Sequence, residues 1–259
     1  MAKKICMMAV IVCSICSYAF TASAGSSEGQ SEGNRILREV DKIITLKDTR
    51  SEQVMSVCRE DATVRQYKLK VMTSGSDKAF AEIIEPEQFK GQQFLRLSDT
   101  VWLYLPGRVP TGFKQYRLKT PIRISGRDTF MGGDFSNNDV LRTNLLDDYT
   151  PELIEDLPDQ YVLELKSKDL NVTYAMIRLW VRKGDFQPIK QELYSINDLL
   201  VKSVFYQDYR DYGGGFIRPG IMEVKSAVMP KSKTFLEILY LIRHAENEPQ
   251  RFLRDSLGK

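Results

Sequence analysis

A single histidine, His244, stands in the whole chain. A multi-histidine metal site is therefore excluded, and a Ser–His–Asp or Cys–His mechanism could be built only around that one imidazole. His244 closes an apolar run and precedes Ala245-Glu246, the setting of a surface residue at a strand end. Cys58 lies beside Arg59, but no histidine or second cysteine stands near it to activate a thiolate. Asp147-Asp148 could hold a cation, although adjacent loop carboxylates are ordinarily solvated. Gly213-Gly214-Gly215, between two strand-like runs, reads as a turn and not as a phosphate cradle. No G-x-S-x-G, H-E-x-x-H, P-loop or G-x-G-x-x-G pattern occurs. The residue types thus point away from catalysis and imply no cofactor and no metal. A net charge of +3 without a Lys/Arg-rich run points away from nucleic acid.

The elements that could position a site begin with an address. Lys3 and Lys4 precede an uncharged, mostly apolar stretch from Ile5 to Phe20, and Ala22-Ser23-Ala24 forms an A-x-A cleavage signature. Residues 1–24 read as a secretory signal peptide. The stretch is short for a membrane-spanning helix. Val12 and Ile15 precede Cys13 and Cys16, where lipid attachment needs a small residue. Cleavage would leave Cys58 as the sole thiol, so no internal disulfide is expected. Gly25–Gly33 reads as a flexible leader. Residues 34–259 then form one domain. Asn34 can cap a helix whose apolar face is Ile36, Leu37, Val40, Ile43, Ile44 and Leu46.

Beyond that helix the period changes from 3.6 to 2. Strands are expected at 65–73, 79–84, 93–97, 100–105, 113–118, 161–166, 172–182, 188–194, 200–209, 216–228 and 234–242. Their close spacing, without helical patterns between them, calls for an antiparallel sheet. Ser136-Asn137-Asn138-Asp139 resembles a capping box opening a short helix, and Pro151–Pro158 is a polar break able to carry a helical turn. Residues 247–257 read as an amphipathic tail with Phe252, Leu253 and Leu257 on one side.

One stretch is more distinctive. It runs Glu85-Pro86, Gly91, Phe94-Leu95, Trp102-Leu103-Tyr104-Leu105-Pro106, then Phe130-Met131-Gly132-Gly133-Asp134-Phe135-Ser136 and Asp139-Val140. This order of landmarks resembles the bacterial outer-membrane lipoprotein-sorting family, the LolA/LolB-like superfamily, with Gly133 where Ser is usual and Val140 where Leu is common. The resemblance spans residues 35–257.

The resemblance implies a mainly β (α+β) fold: a half-open barrel of about eleven antiparallel strands, with short helices plugging its concave face. It also implies that the space between sheet and helices accepts acyl chains. Such a refuge has a clear physical purpose, because an exposed chain of ~16 carbons costs about 13 kcal/mol in water at roughly 0.8 kcal/mol per CH₂. Candidate cavity residues are Phe94, Trp102, Tyr104, Met176, Trp180, Phe205 and Tyr240. Core filling explains strand aromatics equally well, and either face of each strand could be the inner one. Ile36, Val40, Ile43 and Ile44 would face inward from a lid. Phe130, Met131, Gly132, Gly133, Asp134 and Phe135 would form a loop at the cavity mouth, although capping chemistry already explains these residue types. Arg65, Arg96 and Arg117 are available to a phosphate. The expected role is a non-catalytic periplasmic carrier of lipidated protein or free lipid. It would make transient membrane contact, and an inner-membrane transporter is a candidate partner, with the donor left open by the sequence. A sensory or scaffold domain that binds a partner protein, or an accessory subunit of a lipid exporter, is the rival reading.

Overall fold

The computed structural model describes residues 24–106, 108–111, 114–117, 120–142, 144–170 and 172–259. Of the segment expected to be a signal peptide, residues 1–24, all but the last residue lies outside them.

Antiparallel pairing dominates. The strands are β1 (Thr49–Cys58), β2 (Val64–Ser74), β3 (Lys78–Glu85), β4 (Gln93–Leu97), β5 (Thr100–Tyr104), β6 (Arg108–Thr111), β7 (Lys114–Arg117), β8 (Ile122–Ile124), β9 (Tyr149–Asp156), β10 (Gln160–Ser167), β11 (Met176–Arg182), β12 (Pro188–Tyr194), β13 (Leu200–Asp211), β14 (Ile217–Ser226) and β15 (Lys233–Arg243). Thirteen of them form one sheet, ordered β8-β5-β4-β3-β2-β1-β15-β14-β13-β12-β11-β10-β9, while β6 and β7 pair separately. β8 and β9 are edges that do not meet, so the sheet is unclosed. The mainly β, few-helix class agrees with the sequence, and the strand count is larger than the eleven expected.

The extra strands escaped for identifiable reasons. β1 turns Thr49, Ser51, Gln53, Met55 and Val57 inward, and with three polar residues among the five the apolar alternation disappears. β9 occupies the segment expected to be a polar break. It is an edge strand, where Pro151 need not donate to a neighbour on its open side. β6 and β8 are only four and three residues long. The strand expected at 113–118 is represented by β7, residues 113 and 118 lying outside the described set.

Helix α1 runs Ala24–Ile44, so the segment expected to be a flexible leader is helical from its first residue. Asn34 is therefore an interior residue, with its side chain donating to the Gln30 carbonyl at 2.8 Å, and not an N-cap. Packing explains the difference. Gly29 and Gly33 fall one turn apart and lie against the Glu152–Leu153 backbone of β9, where small residues let helix and strand approach closely. The same helix buries Ile36, Leu37, Val40 and Ile44 in the main core, with Ile43 packed beside them. Two short helices follow. α2 (Asn137–Leu141) opens with a full capping box between Ser136 and Asp139, and α3 (Leu145–Asp148) is capped by Asn144.

The main core lies on the helix-covered face of the sheet, fed by alternate residues such as Ile177, Leu179 and Val181 of β11. A second cluster of Met72, Phe80 and Leu95 lies on the other face and is covered by the C-terminal tail through Phe252 and Leu257. Leu253, expected beside those two, points to solvent at 55% exposure, because the tail forms two 3-10 turns (Pro249–Phe252, Arg254–Ser256) instead of one helix. No helix among the described residues is long and apolar enough to cross a membrane.

Candidate functional site: a cavity under the first helix

The helix-covered face is not filled completely. A cavity of about 130 Å³ opens between the end of α1, the α2–α3 segment and strands β11 to β15. That is close to the roughly 150 Å³ of an apolar cavity that admits one benzene-sized ligand, so with α1 seated it has room for a short stretch of hydrocarbon. Ile44, Ile177, Leu193, Val204, Met222 and Leu236 supply its apolar wall. This wall comes from residues of one parity on adjacent strands, as a half-buried sheet requires.

Polar groups occupy two places around that wall. Near α2 and α3 the lining carries Asn138, Asp139, Arg142, Asn144 and Asp148. These are largely satisfied by one another. Arg142 bridges Asp99 at 2.6 Å and also pairs with Asp148. Burial raises the Asp148 pKa, against the opposing pull of Arg142. Asp139 accepts from Lys202 Nζ at 2.8 Å and from the Tyr174 hydroxyl at 2.9 Å. Burial drives the Tyr174 hydroxyl far above its usual range, with the Asp139 charge adding to the effect.

The second polar set sits within the sheet itself. Gln53, Gln191 and Arg218 are all buried and all line the cavity, with Tyr206 beside them. Arg218 shares the inward parity of β14 with Met222 and Val224. Its Nε and Nη1 meet no hydrogen-bond partner among the described residues. Burial lowers its pKa to about 10, which leaves it cationic at neutral pH.

Asp41 joins α1 to the cavity rim. Its carboxylate accepts from the Leu145 amide at 3.1 Å, tying α1 to α3. Burial raises its pKa to about 6, although hydrogen bonds from the Leu145 and Leu146 amides pull the other way.

The seven aromatic and Met candidates do not line this cavity. Phe94 does face the main core, where it packs on Phe130 with ring centroids 4.5 Å apart. Trp102 and Tyr104 belong to the opposite face under the C-terminal tail, with Arg254 over the Trp102 ring at 4.9 Å. Met176 and Trp180 take the outward parity of β11, and Lys190 stands 4.6 Å from the Trp180 ring. Phe205 is likewise outward, 4.8 Å from Lys225, and Tyr240 is exposed with its hydroxyl on Glu52. The outward residues share a setting: large rings flanked by lysine or arginine stems cover the outer face of the sheet, while the inner face carries its own aliphatic and aromatic set.

The loop candidates are held firmly. Phe130 and Phe135 are buried, Met131 packs against the core, and Gly132 has φ +69°. A Cβ on Gly133 would approach Val57 to 3.2 Å. Asp134 accepts from Ser232 at 3.0 Å and Thr234 at 2.7 Å, and its carbonyl accepts from Lys202 at 2.7 Å. Of this loop only Phe135 reaches the cavity lining. Of the three strand arginines, Arg65 is exposed, and Arg96 is buried with Nη1 donating to the Ser76 carbonyl at 3.1 Å. The Arg117 side chain lies outside the described set. Arg218 was legible only as an arginine in step with Met222 and Val224 along an otherwise apolar strand face.

Comparison with known proteins places this geometry. A family model described only as an uncharacterized protein matches residues 75–258, more than half of the chain. A LolA superfamily protein from Nitrosomonas europaea superposes with TM-score 0.74 at 27% identity, over 87% of this chain and 99% of that one. A structure described as an outer membrane lipoprotein-sorting protein domain, from Vibrio parahaemolyticus, gives TM-score 0.74 at 23% identity, over 89% of this chain and 100% of its own. A DUF1329 family protein from Desulfovibrio piger gives TM-score 0.75 at 24% identity, covering 89% and 99%. No curated protein matches the sequence significantly. The chain belongs to that matched family and, by the fold it shares with the Nitrosomonas europaea protein, to the LolA-like superfamily.

Proposed function

We propose that this protein is a non-catalytic periplasmic carrier that shelters an acyl chain, of a lipidated protein or of a free lipid, between its sheet and α1. One observation carries the reading: an aliphatic cavity persists beneath an amphipathic helix on an unclosed sheet. α1 is the lid, seated on β9 through Gly29 and Gly33 and facing the core with Ile36, Val40, Ile43 and Ile44. With α1 seated the space shelters only a short stretch of hydrocarbon, so a full tail enters by displacing part of the lid. Each methylene sheltered returns about 0.8 kcal/mol, enough for uptake yet compatible with release to an acceptor. Signal-directed export and hand-over between membranes complete the role.

The test is lipid extraction and mass spectrometry of protein purified without detergent, beside a Val204→Trp variant that fills the cavity. Acyl lipid recovered with the wild type and lost from the variant is the expected result. Equal recovery from both, or none from either, would reject the carrier reading.

A further inference from the structure

The two arginines that line the cavity are in opposite situations. Arg142 is neutralised by Asp99 and Asp148. Arg218, 4% exposed, has no ion pair among the described residues, and two of its guanidinium nitrogens lack any hydrogen-bond partner. An unpaired buried cation is costly to a fold and is retained where something else neutralises it. Arg218 also takes the place of an aliphatic residue, since its neighbours of the same parity, Met222 and Val224, belong to the apolar interior. In the sheet order β1-β15-β14-β13-β12, Gln53 and Gln191 stand two strands away on either side, both buried and both facing the same cavity.

We propose that the ligand is a single-chain amphiphile with an anionic head, bound head-inward on Arg218, with its tail running along Val204 and Met222 toward the lid. The proposal rests on the carrier reading and gives it a ligand class. A guanidinium offers a fork of donors matched to a carboxylate or a phosphate monoester, and the apolar surroundings strengthen that charge-assisted contact. Space favours one chain, because a cavity of about 130 Å³ does not hold a diacyl lipid with the lid closed. The head groups compete with no carboxylate of the protein, since Asp139 and Asp148 are each engaged by their own cations.

The experiment is calorimetric binding of decanoate, decyl phosphate and decanol to the full chain, wild type and Arg218→Met, each melted with and without probe. Wild type should prefer at least one anionic probe over decanol by about tenfold or more, the larger preference identifying carboxylate or phosphate as the head. Arg218→Met should lose that preference while binding decanol within about twofold of wild type. The unliganded variant should melt no lower than wild type, because methionine removes an uncompensated charge. Equal binding of all three probes by wild type overturns the head-group assignment while leaving the carrier reading intact, and needs no variant to be read. Binding of none of them, with no lipid recovered from purified protein, fails the carrier reading and this proposal together.

Discussion

A Cβ placed on Gly33 would lie 3.0 Å from the Leu153 amide nitrogen, so α1 and β9 touch backbone to backbone. An interior helix glycine normally costs about 0.5–1 kcal/mol relative to alanine. Here the absent side chain is what allows α1 to seat on β9. Gly33→Leu should push α1 from the edge strand at a cost of about 1–3 kcal/mol. Trypsin cleavage after Arg35 and Arg38 should accelerate in that variant, with a lowered melting temperature. Unchanged cleavage would show that the close approach does not hold the helix.

Asp41 gives the contact between α1 and α3 a pH dependence. Its folded pKa of about 6 exceeds the ordinary value of 3.8, so the folded state binds its proton more tightly. The contribution to stability is complete below about pH 4 and is lost as pH rises to about 6, a change of order 3 kcal/mol at 1.36 kcal/mol per unit. Other carboxylates titrate in the same range in both directions, so the comparison needed is with Asp41→Asn. That variant keeps an acceptor for the Leu145 amide without the charge. It should be more stable than wild type at pH 7.5, with the gap narrowing by pH 4.5. A gap independent of pH would exclude Asp41 as the source.

Lys202 serves two groups at once, the Asp134 carbonyl at 2.7 Å and the Asp139 carboxylate at 2.8 Å. Lys202→Met removes the donor to the Asp134 carbonyl and the cation paired with Asp139, whose carboxylate keeps only the Tyr174 hydroxyl and the Ser136 amide in a largely buried position. The expected loss is about 3–5 kcal/mol, the usual consequence of breaking one side of a buried pair. Denaturant titration reads it directly, and a midpoint within error of wild type would contradict the assigned role of this network.

Both tryptophans stand on the outward face, away from the cavity. Intrinsic fluorescence should therefore shift little when decanoate binds. Trp180→Phe and Met176→Ala should leave decanoate affinity within about twofold of wild type, whereas Val204→Trp should reduce it by about tenfold or more. A large affinity loss in Trp180→Phe would place the ligand on the other face of the sheet.

The amino-acid sequence alone determined the elements whose signal is local. Period-two runs gave β4 and β12 to the residue, the Ser136–Asp139 spacing gave the capping box of α2, and the Glu85 to Leu141 landmarks gave the superfamily. It could not show that β1 was a strand, because Thr49, Ser51 and Gln53 are polar yet inward, and such residues become legible only once a neighbouring strand and a buried polar set surround them. Nor could it show that Gly25–Gly33 was helix, since the compensation for poor helix formers lies 120 residues away in β9. Which face of each strand is inner was decided by tertiary structure too. An alternating pattern fixes two sets of residues but not which set meets α1, and that choice moved the cavity wall from Trp102 and Trp180 to Ile177, Val204, Met222 and Arg218.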